Sequence, residues 1–82
     1  MSASSRMAGE LLKNIWTLTL AGERVSLLTC DLFETHQGFE VRCSNGDEVL
    51  QTARVASVAD AMNLCEAWKA VYRVRGWNEL SE

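Results

Sequence analysis

The sequence predicts an α+β fold, a four-stranded antiparallel meander followed by one C-terminal helix packed on one face of the sheet. Three observations predict it. Between residues 14 and 55, apolar and polar residues alternate in short runs, the period of half-buried strands. Turn dipeptides containing glycine, Gly22-Glu23 and Asn45-Gly46, interrupt those runs at hairpin spacing. From Ser57 to Trp77 the apolar spacing changes to three and four, with a start signal at one end and a stop signal at the other.

The helix is the best-marked element. Ser57 is placed to cap it, its hydroxyl accepting from the amide of Asp60, and the Asp60 charge suits the positive end of the helix dipole. Val58, Ala61, Leu64, Cys65, Trp68, Val71 and Tyr72 then share one face, with Trp68 at its middle and expected to be largely buried. Gly76 can take the left-handed conformation that ends a helix, and Trp77 would fold back on Tyr72 or Val71 as the hydrophobic clasp. Lys69, Arg73 and Arg75 gather at the negative end of the dipole. A helix of this length is marginal alone in water, so it needs a sheet to lie on.

The strands follow in order. Residues 1–13 form a lead-in to the domain at 14–82, either a flexible arm or a short helix from Arg6 to Lys13 with Met7, Leu11 and Leu12 on one side. Trp16, Leu18 and Leu20 alternate with Thr17 and Thr19 in the first strand. A two-residue turn at Gly22-Glu23 would pair Leu20 with Val25 and Leu18 with Leu27. The second strand, Arg24 to Glu34, carries apolar residues on both phases: Val25, Leu27 and Phe33 on one, Leu28, Cys30 and Leu32 on the other. Either a bulge at Leu27-Leu28 shifts the phase or both faces are covered. After Thr35-His36-Gln37-Gly38, Phe39 to Ser44 alternates cleanly. A turn centred on Asn45-Gly46 would pair Val41 with Leu50 and Phe39 with Thr52, and Glu48 to Val55 completes the sheet.

Composition narrows the function. The chain has 82 residues, a net charge of −3 and three cysteines with no close paired spacing. That combination predicts one domain with free thiols, and free thiols suit a reducing cytoplasm. No run of apolar residues approaches the length of a membrane span, and the N-terminus lacks the apolar core of a signal peptide. Cys30, Cys43 and Cys65 do not have the spacing of zinc ligands and fall on predicted core phases, so no metal is expected. His36 lies in a loop, the carboxylates are scattered and no phosphate-cradling glycine loop is present, so neither catalysis nor a cofactor is expected.

Two binding functions then compete. In order of elements alone the strands and helix resemble the Whirly kind of single-strand-binding module. With a lead-in helix the chain is also similar to double-stranded RNA-binding domains. Those carry a lysine cluster at the start of the last helix, where this chain has Ser57-Val58-Ala59-Asp60-Ala61. Lys69, Arg73, Arg75 and Trp77 are the residues a nucleic-acid interface would use, cations beside a stacking ring. The acidic balance argues against that function. The preferred expectation is a non-catalytic protein–protein interaction module, an adaptor or an inhibitor, whose partner is another protein or a second copy of the chain. A single helix covers one face of the sheet, so one phase of the second strand faces out. Leu28, Leu32 and Phe33 are the candidate interface for a homodimer.

Overall fold

A computed structural model describes residues 9–22 and 25–79. Strands β1 (Glu10–Leu20), β2 (Ser26–Thr35), β3 (Gly38–Asn45) and β4 (Glu48–Val55) form the antiparallel meander. Helix α1 (Val58–Val74) follows, and a two-residue strand, β5 (Asn78–Glu79), ends the described chain. The strand order is β4-β3-β2-β1-β5, so the chain leaves one edge of the sheet, crosses it as a helix and pairs again at the other edge. No described helix is long and apolar enough to cross a membrane.

Alternation decides what faces the helix. Trp16 and Leu18 from β1, Leu28, Cys30 and Leu32 from β2, and Val41 and Cys43 from β3 form one buried cluster with Ala61 and Cys65 of α1. Trp16, Cys30 and Cys43 lie side by side across three strands, as do Leu32, Val41 and the half-buried Ala53. Each fully buried leucine stabilises the fold by about 1.5–3 kcal/mol before ordering entropy is counted, and Leu18, Leu28 and Leu32 are all sealed. Trp68, expected to be largely buried, is half-buried and packs against the rim of this cluster. The fully buried helix residues are the small Ala61 and Cys65, which let the backbone of α1 approach the sheet.

The helix ends as its sequence predicts. Ser57 caps it, with Oγ accepting from the Asp60 amide at 3.1 Å. At the other end Gly76 has φ +106°, which a side chain would strain. The Trp77 amide donates to the Tyr72 carbonyl and the Gly76 amide to the Arg73 carbonyl, the Schellman arrangement. The Trp77 ring meets Tyr72 edge-on with centroids 6.4 Å apart.

Four expectations are corrected. Glu10–Lys13 is strand and not helix, while Arg6–Ala8 lie outside the described residues. The helical spacing there comes from bulges: pairing of β1 with β2 skips Leu12 and Ile15, and each skipped residue breaks the period of two. The first hairpin pairs Leu20 with Ser26 and Leu18 with Leu28, one residue away from the expected register. A one-residue slip reverses the face of every side chain, and this register is the one that turns Leu28, Cys30 and Leu32 inward in place of Leu27, Thr29 and Asp31. No bulge occurs at Leu27-Leu28, because the observed register already turns Leu28, Cys30 and Leu32 inward. The third hairpin turns on Gly46-Asp47, with Gly46 at φ +63°. It pairs Val41 with Ala53 and Phe39 with Val55, and Leu50 is bulged.

Candidate functional site: the open face of the sheet

The face turned away from α1 is laid out in rows. Thr17, Thr29, Ser44 and Val49 form one row, Asn14, Asp31, Arg42 and Thr52 the next, and Leu11, Phe33, Glu40 and Arg54 the third. Four strands at normal spacing make it about 15–19 Å wide. Its centre holds two groups of side chains, Arg42 with Phe33 and Glu40, and Asn14 with Asp31, set side by side by the pairing of Asp31 with Arg42. The Arg42 guanidinium lies 4.0 Å from the centroid of the Phe33 ring, and its Nη2 is 3.2 Å from Glu40 Oε1. Glu40 thus helps to hold a cation over an aromatic ring, a contact worth about 0.5–1 kcal/mol where water still reaches it. Asn14 Nδ2 donates to Asp31 Oδ1 at 2.9 Å and lies 3.2 Å from the Trp16 carbonyl, so it also serves the backbone at the Ile15 bulge. At the end of the face a cleft of about 240 Å³ is lined by Thr35, His36, Gln37, Glu40 and Arg54. Arg54 Nη1 donates to Gln37 Oε1 across its rim at 2.6 Å.

The three candidate interface residues do not act together. Leu28 and Leu32 are 0% and 1% exposed, under the helix, and cannot present themselves to a partner sheet. Only Phe33 stands on the open face, half-covered by Arg42. The residues that sequence reasoning missed are Asn14, Asp31 and Glu40. Their signal is the period of two itself: once Leu28, Cys30 and Leu32 point inward, Asp31 and Phe33 must point outward together with their cross-strand neighbours.

The basic end of the helix is brought together, but around a carboxylate. Glu79 Oε2 lies 3.4 Å from Lys69 Nζ and 3.2 Å from Arg73 Nη1, and Lys69 also reaches Glu66 at 3.4 Å. The Arg75 guanidinium sits 5.8 Å from the Tyr72 ring centroid. Trp77 is half-buried in its clasp on Tyr72. The strand β5, which the sequence did not reveal, is what carries Glu79 into this cluster.

Beneath the open face, burial pushes the Cys30, Cys43 and Cys65 thiols above the ordinary thiol range, Cys30 furthest; neighbouring Cys65 raises Cys30 further. Burial also raises the Tyr72 hydroxyl, which accepts from Gln51 Nε2 at 3.2 Å. A folded-state pKa above the unfolded value contributes stability below the unfolded pKa, and that stability is lost as pH rises. Unfolded thiols release their protons at about pH 8.5, and burial makes the folded ones hold theirs to higher pH. Stability is therefore expected to fall as pH rises from 8 to 10, with all three thiols acting in the same direction. Urea denaturation at both pH values checks this; unchanged stability at pH 10 would mean that water reaches the thiols.

Among the described residues no group of three or more histidine, cysteine or acidic side chains is arranged to hold a metal ion. Comparison with protein-family models, with curated proteins and with solved structures gives no match.

Proposed function

We propose that this chain is a non-catalytic protein-binding module, working in the cytoplasm, and that its binding surface is the open face of the sheet. The observation that carries the proposal is the central cluster of Phe33, Arg42, Glu40, Asp31 and Asn14. An aromatic ring and an arginine at the middle, framed by polar side chains, is the composition of the centre of a protein interface. The face carries both signs of charge, so a second copy related by a two-fold axis is among the partners it suits. The pairing of Lys69 and Arg73 with Glu79 leaves the basic helix end poorly suited to phosphates, which speaks against nucleic acid.

The test uses two variants in native lysate, with and without nuclease. Phe33→Ser is expected to lose the captured partner while keeping the circular dichroism of the parent. Arg73→Gln is expected to keep it, and nuclease to change nothing. Loss through Arg73→Gln together with nuclease sensitivity would transfer the function to the helix end and to nucleic acid. Sedimentation equilibrium from micromolar to tens of micromolar protein reads whether the partner is a second copy.

A further inference from the structure

Cys30 of β2 and Cys65 of α1 are both fully buried, and their sulfurs stand 3.2 Å apart. One comes from the sheet and the other from the helix that covers it. A second contact fixes the same level: the Trp16 indole N–H donates to the Cys65 carbonyl at 2.8 Å. Cys43 is the cross-strand neighbour of Cys30, but it is the Cys65 sulfur that the Cys30 thiol meets. A disulfide needs its sulfurs at about 2.05 Å, so the pair has about 1.2 Å to close.

From this juxtaposition we propose that Cys30 and Cys65 are a redox pair whose disulfide bolts α1 to the sheet. The oxidant is a low-molecular-weight disulfide such as oxidised glutathione. One cysteine, as its thiolate, attacks a glutathione sulfur, forms a mixed disulfide and expels one glutathione thiolate. The other cysteine attacks the protein sulfur of that mixed disulfide and expels the second glutathione thiolate. The two thiol protons pass to the released thiolates, and the two electrons have reduced the oxidant. Because both sulfurs are sealed, the reaction runs through openings in which the helix lifts from the sheet, and the bond then holds the closed state. It closes a loop across a sequence separation of 35 residues, long enough to restrict the unfolded chain strongly.

The test begins with reduced, unfolded protein, so that burial does not limit access. The protein is refolded in a mixture of oxidised and reduced glutathione, quenched in acid, alkylated under denaturing conditions and mapped by mass spectrometry. The expected result is one alkylated cysteine per chain, Cys43, and a linked peptide pair containing Cys30 and Cys65. The oxidised protein is expected to melt about 10–25 °C above the reduced one. Cys43→Ala is expected to keep the bridge and Cys65→Ala to abolish it. Three alkylated cysteines, a link from Cys30 to Cys43, a link between chains, or a melting temperature lowered by oxidation would each overturn the proposal.

Discussion

Trp16→Ala is expected to cost about 3–5 kcal/mol, the largest loss of any single truncation in this chain. Trp16 is 6% exposed and sits where the first strand meets the helix. Its ring packs beside Tyr72, with centroids 6.4 Å apart, and its indole N–H reaches the Cys65 carbonyl. Truncation removes the largest buried side chain and opens a cavity between the two layers of a domain whose total stability should be only about 4–12 kcal/mol. Trp16→Phe keeps most of the volume but loses the hydrogen bond, and is expected to cost about 1–2 kcal/mol. Trp68→Ala, at the half-buried rim, is expected to cost less than Trp16→Ala. Urea denaturation of the three variants gives the order. A loss below about 1 kcal/mol for Trp16→Ala, or a larger loss at Trp68, would mean that the helix is seated elsewhere on the sheet.

Leu32→Ala and its neighbour Phe33→Ala are expected to separate stability from binding. Leu32 is sealed beside Val41 and Lys13 in register, so its truncation should cost about 2–5 kcal/mol. Phe33 is the bulkier residue, yet it lies half-buried on the open face beneath the Arg42 guanidinium, and its truncation should cost about 1 kcal/mol or less. Size alone would predict the opposite order. Denaturation curves decide the matter: equal losses at the two positions would mean that both faces are covered, and a larger loss at Phe33 would reverse the orientation of β2.

What could be read from the sequence was what local chemistry decides. Ser57 and Gly76 mark the ends of α1 because capping is settled within a few residues, and the Trp77 clasp follows from the same motif. The meander could be read because alternation and turn residues are local as well. Register could not, because Leu18 facing Leu27 and Leu18 facing Leu28 differ only in which row the helix buries, a choice made by tertiary packing. The start of β1 was hidden by the bulged Leu12 and Ile15, which imitate a helical spacing. Asn78 and Glu79 are too few to show any period, so the strand that carries Glu79 to Lys69 and Arg73 was hidden too. The candidate site was half-legible for the same reason: Phe33 was among the candidates and stands on the open face, but Leu28 and Leu32 were grouped with it across a phase that the sequence left open.

The irregularities in pairing are distributed unevenly, and that has a consequence for how the molecule behaves in a crowded solution. The extra residues Leu12, Ile15 and Leu50 all fall on β1 and β4, and the β2–β3 ladder between them has none. β4 is an outer strand, and among the described residues β5 covers β1 only at Leu18 and Thr19, so each bulge lies on a border strand of the sheet. An outer strand with evenly spaced free amides and carbonyls is a template on which another chain can grow as a fibril. Here the spacing is broken twice on one border and once on the other, and Lys13 stands beside the first break. A strand arriving at either border would meet donors and acceptors out of step with its own, so the sheet is protected against growing sideways into aggregates.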